Sequence, residues 1–140
     1  RLWEVFLVEK MGFNWDEVHE IAEQLEHIES EVLIDKLDAF LDYPRTDPHG
    51  DPIPNKKGEL PQLGYVPLAN MPIGKAGNLV GVAQDSAVFL QLLTKLNLNL
   101  GAKLEITEIN AFDLSVSLRI DGNAPVLISH EVAKNVLVKR

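Results

Sequence analysis

The chain has 140 residues, 13 Lys and Arg against 21 Asp and Glu for a formal charge of −8, and 46% hydrophobic residues. That content is too apolar for a disordered chain, and no apolar run nears the roughly 20 residues a membrane helix needs. The absence of cysteine removes disulfide scaffolds, thiolate metal sites and cysteine nucleophiles, and fits a reducing, cytoplasmic setting.

Residues 1–43 show helical periodicity. The first helix is expected over about 1–11 and is apolar nearly all round, through Leu2, Trp3, Val5, Phe6, Leu7, Val8 and Met11, as in a helix buried on several sides, often by a second subunit. Arg1 runs straight into it without a cap, so a fragment whose N-terminal part has been cut away is expected, and no basic and apolar signal-peptide pattern opens the chain. Gly12 is the expected stop. Asn14 followed by Glu17 resembles a capping box for a second helix over about 15–29, with an apolar stripe of Val18, Ile21, Ala22, Leu25 and Ile28. Ser30 caps a third helix over about 31–42, whose inward row is Leu33, Leu37, Phe40 and Leu41. Tyr43-Pro44 ends it.

Residues 44–64 are rich in Pro and Gly, as expected of a stiff connector at a domain boundary. The remainder reads mainly as β. Strands are expected at 79–83, 103–109, 113–120 and 125–128, the second and third from their alternation. Asp121-Gly122 turns the chain between the last two. A helix is expected near 86–96, with Val88, Phe89, Leu92, Leu93 and Leu96 inward, and Ser129 is expected to cap a closing helix through about 137. The fold class is therefore α+β: a helical domain over 1–54, a linker over 55–64, and a small β-barrel over 65–140.

Charge divides along the same line. Residues 1–63 hold 15 acids and 6 bases, whereas 64–140 hold 6 acids and 7 bases. An acidic half repels phosphate and attracts cations, so nucleic acid is not its direct partner.

The informative segment is His19 to His27. With His19 as zero, Glu23 falls at about +40°, Glu26 at about −20° and His27 at about +80° around a helix. Two imidazoles and two carboxylates on one face can converge on a divalent cation. The competing reading is a merely solvated acidic face, which is accepted here for Glu20, Glu29 and Glu31. His49 in Asp47-Pro48-His49-Gly50-Asp51-Pro52 is, by itself, a polar turn residue. Trp3 and Trp15 read as core or dimer contacts, Gly74-Lys75-Ala76-Gly77 lacks the spacing of a phosphate loop, and no nucleophile-elbow pattern frames a serine.

Val18-His19-Glu20 with Ala22-Glu23-Gln24-Leu25-Glu26-His27 resembles the metal-binding and dimerisation domain of the DtxR/MntR family of metal-dependent transcriptional repressors. Arg1-Leu2-Trp3-Glu4-Val5-Phe6-Leu7 and Asp47-Pro48-His49-Gly50-Asp51-Pro52-Ile53-Pro54 are similar to the family in the same order and spacing. The β-rich tail resembles its SH3-like, FeoA-type domain.

The resemblance implies a primary metal site using Glu23, Glu26 and His27, completed by ligands outside this chain. It implies a second site using Glu4 with either His19 or the Asp47/His49 turn, and Asp85 is the candidate acid from the barrel. Val88 stands where one branch of the family has a glutamine ligand and cannot bind metal, which favours Glu4, Asp47, His49 and Asp85 over the His19 version. Glu at position 23, where iron-sensing members carry Cys, points to Mn2+, with Fe2+ second; other divalent ions bind such a site as well. The expected function is the regulatory part of a repressor, a homodimer that meets operator DNA only through a winged helix outside this chain, and not an enzyme. Two alternatives stand beside it: an interaction module whose acidic helix face is only solvated, and a metal-dependent hydrolase.

Overall fold

The computed structural model describes all 140 residues. They divide into two compact units, residues 1–63 with 86–90 and residues 64–85 with 91–140.

The first unit carries three helices, α1 (Leu2–Met11), α2 (Val18–Glu26) and α3 (Glu31–Phe40). Helix α1 packs on both of the others. Val5 joins Leu37 and Leu41 of the α3 segment, and Leu7 joins Val18 and Ala22 of α2. The all-round apolar sequence of α1 thus has two neighbours within the chain itself, where a second subunit was the expected cover. Gly12 ends α1 in the left-handed conformation at φ 76°, with its N–H bonded to the Leu7 carbonyl.

Helix α2 is shorter than the expected 15–29, starting at Val18 where its stripe begins and ending at Glu26. Glu17 Oε1 accepts from the Asn14 N–H at 3.0 Å, half of the expected capping box, but residues 15–17 form a turn. Ser30 caps α3 as expected, its Oγ accepting from the Leu33 N–H at 3.2 Å. Ser30→Ala is expected to cost about 1 kcal/mol of stability, read from the urea denaturation midpoint. Within α3 the inward row is narrower than expected: Leu37 and Leu41 are buried, but Leu33 is partly exposed and Phe40 is 61% exposed. Phe40 instead lies against Phe6, with 6.2 Å between ring centres, and under the Lys10 ammonium at 5.4 Å.

The second unit is built on an antiparallel six-stranded sheet: β1 (Val66–Pro67), β2 (Ala76–Val82), β3 (Lys103–Ile109), β4 (Val116–Ile120), β5 (Val126–Ile128) and β6 (Val136–Lys139), in the order β1-β6-β2-β3-β4-β5. Its core face alternates as the strand pattern requires, through Leu79, Leu104, Ile106, Val116, Leu118, Val136 and Val138. The sheet is open, with β1 and β5 as edges, so the expected barrel does not close.

Two strands were not expected. β1 is too short to carry a period, and β6 follows the helix α5 (His130–Asn135) without a break, in a stretch read as continuous helix. Ser129 caps α5 through the Val132 N–H at 3.1 Å. The remaining helix, α4 (Ala87–Lys95), buries Phe89, Leu90 and Leu93 but exposes Val88 and Leu92, so its inward face differs from the expected one. No helix is long and apolar enough to cross a membrane.

Candidate metal centre

Among the chemistry-bearing residues of the first unit, Glu4, Asp47 and His49 come together. One ligand atom from each lies within 4.8 Å of the others, and all three residues are buried.

Each is held by its own local structure. Glu4 lies in α1 between Trp3 and Val5, an acid on a helix whose other charged residues, Glu9 and Lys10, fall in its last turn. Asp47 and His49 sit on a tight loop bracketed by the Thr46–Pro52 bridge. Asp47 Oδ1 accepts from the His49 N–H at 2.9 Å and the Asp51 N–H at 3.0 Å. This side-chain turn needs an Asp at its start, and Gly50 at φ 90° lets the backbone reverse. The loop then closes with Gly50 N–H on the Asp47 carbonyl at 3.0 Å and Asp47 N–H on the Asp51 carbonyl at 2.9 Å.

His49 faces both ways. Its Nε2 donates to the Trp15 carbonyl at 2.7 Å, and its Nδ1 lies 3.1 Å from Glu4 Oε2. The latter contact is an ion pair when the imidazole is charged, and Glu4 Oε2, which is buried, has no hydrogen-bond partner besides it. Such an atom is costly to bury unless something pairs with it.

Burial works to lower His49, but the Glu4 carboxylate, the Trp15 carbonyl and the Asp47 charge outweigh it and raise the imidazole to about 9. Burial also opposes ionisation of Glu4, yet the His49 partner, with the amino terminus and His19 adding, keeps its carboxyl below the usual range. Asp47 is raised, first by burial and then by the Asp51 and Glu4 charges, against the hydrogen bonds it accepts. Two buried carboxylates and one imidazole therefore compete for too little positive charge.

A divalent cation held by these residues would relieve that competition. Two carboxylates and a neutral imidazole nitrogen form a hard oxygen-and-nitrogen donor set, suited to Mn2+ or Fe2+, with no thiolate for softer ions. The Glu4 oxygen whose only partner is His49 and the Nδ1 position of that histidine would supply the atoms it needs. The residues fit the group.

The other expected ligands are placed differently. His19, Glu23, Glu26 and His27 are exposed along and just after α2. Glu23 and His27 border a shallow depression with Gln24 and with Glu20, which sequence reasoning had left to solvent. Glu26 pairs with the amino group of Arg1. Their ligand atoms do not gather as those of Glu4, Asp47 and His49 do. Asp85 is exposed in the segment between β2 and α4, in the second unit. The residue that sequence reasoning missed is Trp15, whose part is played by a backbone carbonyl that leaves no side-chain signature.

Both halves of the chain resemble known domains. Residues 1–55 match the model of the iron dependent repressor metal binding and dimerisation domain, and residues 66–140 match that of the FeoA domain. The chain is 30% identical to the iron-dependent repressor IdeR of Mycobacterium tuberculosis, over 100% of this chain and 65% of that protein. It is 34% identical to the solved structure of a manganese-dependent transcriptional repressor, with a TM-score of 0.88 over 99% of this chain and 75% of that one. Over 56 residues it is 43% identical to a probable metal transport system membrane protein of Chlamydia trachomatis, covering 40% of this chain and 12% of that protein. The chain thus spans about two-thirds of the length of the mycobacterial repressor, 65%, and a small part of the transport protein.

Proposed function

We propose that this chain, which belongs to the DtxR/MntR family of metal-dependent transcriptional repressors, is the metal-sensing and dimerising part of a manganese-responsive repressor. The observation that carries the reading is the buried cluster of Glu4, Asp47 and His49, two carboxylates sharing one imidazole. Mn2+ is the first choice of ion and Fe2+ the second, on the hardness of the donors. Copper, zinc and nickel bind most such sites more tightly in solution, so the affinity order does not identify the working ion.

The chain's own residues explain why occupancy has consequences. Glu4 belongs to α1, and Asp47 and His49 belong to the loop after α3. Drawing the three together ties that loop to α1, while the two carboxylates lose their mutual repulsion. A bound ion supplies the positive charge that makes this possible. The tied form is favoured to the extent that it binds the ion better than any other arrangement, since equal binding to two states switches nothing.

Glu23, Glu26 and His27 form a second, exposed metal-binding face whose other ligands would come from outside residues 1–140. A winged helix outside residues 1–140 would supply operator recognition, because the −9 balance of residues 1–63 repels DNA. The apolar side chains that α1 and α3 leave exposed, Met11, Val32 and Phe40, support cover by a second copy.

The chlamydial match favours a second reading, a sensor attached to a metal transport protein. It accounts for only 40% of the chain, whereas the repressor reading accounts for both domains.

The test is a calorimetric Mn2+ titration of the chain with its solution mass measured in parallel. A dimer taking up about one tightly held ion per chain, lost in a Glu4→Ala/His49→Ala double variant, is expected. A monomer without specific uptake would leave the cluster as a structural ion pair and favour the interaction-module reading. Glu23→Gln/Glu26→Gln is expected to leave the tight uptake intact.

A further inference from the structure

Trp15 lies in the segment between α1 and α2 and is 8% exposed. Two contacts tie it to His49. Its carbonyl accepts from His49 Nε2 at 2.7 Å, and its indole is within 9° of the imidazole plane, with 6.4 Å between ring centres. A carbonyl oxygen can only accept, so Nε2 keeps its hydrogen whatever happens at the other nitrogen. The lone pair is thereby confined to Nδ1, the atom 3.1 Å from Glu4 Oε2.

The acceptor is itself fixed by the turn that carries it. Phe13 N–H bonds to the Leu7 carbonyl at 3.1 Å, and Glu17 N–H to the Asn14 carbonyl at 3.1 Å. Glu17 Oε1 reaches back to the Asn14 N–H at 3.0 Å. The end of α1 and the entry to α2 therefore decide where the Trp15 carbonyl points, and the indole, parallel to the imidazole with 6.4 Å between ring centres, is placed to limit rotation of the histidine ring.

We propose that Trp15 is the positioning residue of the Glu4, Asp47 and His49 site: its carbonyl holds His49 in the Nε2–H form and its ring holds the imidazole plane, so that Nδ1 is offered to a divalent cation. This rests on the metal-site reading above and adds which histidine atom ligates and what selects it. Partners that orient a ligating histidine in this way are worth about 10- to 100-fold in metal affinity.

The experiment has three measurements on the whole chain. Long-range 1H–15N NMR of the Zn2+-loaded protein is expected to show His49 protonated at Nε2 and metal-bound at Nδ1. Trp15→Ala is expected to weaken Mn2+ binding about 10- to 100-fold, and to change the visible absorption of the Co2+-saturated protein, which reports coordination geometry rather than stability. Trp15→Phe keeps a flat ring and is expected to restore both. His49 bound through Nε2 would overturn the part assigned to the Trp15 carbonyl, and a folded Trp15→Ala with wild-type affinity and Co2+ spectrum would overturn the part assigned to its ring, since the substitution leaves the carbonyl in place. If Trp15→Ala does not fold, the NMR result on the unaltered chain and the Trp15→Phe affinity decide. Undiminished Mn2+ uptake in His49→Ala would overturn the site itself; lost uptake there with an unaffected Trp15→Ala would overturn only the role of Trp15.

Discussion

Between pH 6 and pH 8 the affinity of the chain for Mn2+ is expected to rise about a hundredfold, and above about pH 9 to level off. The reason is the proton on His49. With its Nε2 hydrogen given to the Trp15 carbonyl and its imidazole raised to about 9, the ring is doubly protonated at neutral pH when no ion is bound. The second proton sits on Nδ1, where the ion must bind. Each ion taken up therefore releases about one proton, and apparent affinity gains about tenfold per pH unit below the imidazole's own value. Calorimetry in buffers of different ionisation heat measures that release directly. An affinity flat from pH 6 to 8, with no proton released, would mean that His49 is not a ligand.

The same shift sets the stability of the ion-free chain, in the opposite direction. A group raised from 6.5 to about 9 on folding contributes stability that is complete below 6.5 and lost as pH rises through about 9, on the order of 3 kcal/mol. Glu4 is held below its ordinary value of 4.5, so its contribution is present above that value and lost as pH falls through the lowered one. The ion-free chain is thus favoured in mildly acidic solution, and ion binding is favoured in mildly alkaline solution.

His49→Ala is expected to have the largest effect of any single substitution at the site. It removes the imidazole ligand, for which a loss of at least about a hundredfold in Mn2+ affinity is expected, the upper end of what losing a mere supporting partner costs. It also leaves Glu4 and Asp47 buried without their cationic neighbour, and removing one member of a buried charged pair costs about 3–5 kcal/mol. Both effects are read in one series of thermal melts. The variant melts well below the parent, and saturating Mn2+ raises the parent's midpoint but not the variant's. For the parent, an ion at a hundred times its dissociation constant adds about 2.7 kcal/mol. A variant that still gains as much from Mn2+ would place the binding elsewhere, with the exposed Glu23, Glu26 and His27 as the first candidates.

Much of the architecture was legible because local signals and tertiary structure agree. Ser30, Gly12 and Ser129 mark helix ends by groups that cap a backbone donor or adopt a left-handed conformation. The alternation over Lys103–Ile109 marks β3 to the residue. Disagreements arise where a pattern is short or a face is shared. β6 has four residues and follows α5 directly, so its period of two is lost in the helix before it. The exposed Phe40 and Val88 are apolar residues at helix positions next to the buried row, and sequence alone does not separate a core stripe from an apolar flank.

The candidate site was legible in a different way. Glu4 is conspicuous as an acid inside an apolar helix, and the Asp-Pro-His-Gly-Asp-Pro turn has an evident role for Asp47. Nothing in periodicity brings the two segments together, and the resemblance to known repressors was what made them one expected ligand set. The geometry that the resemblance did not hold is the carbonyl of Trp15, since a backbone acceptor is the same at every position in a sequence.

The most direct test is an anomalous diffraction map from crystals of this chain grown with Mn2+. A single strong peak within coordination distance of a Glu4 oxygen, an Asp47 oxygen and His49 Nδ1 is the predicted result. No peak among those three residues, with manganese found only beside Glu23, Glu26 and His27 or not at all, would contradict the account.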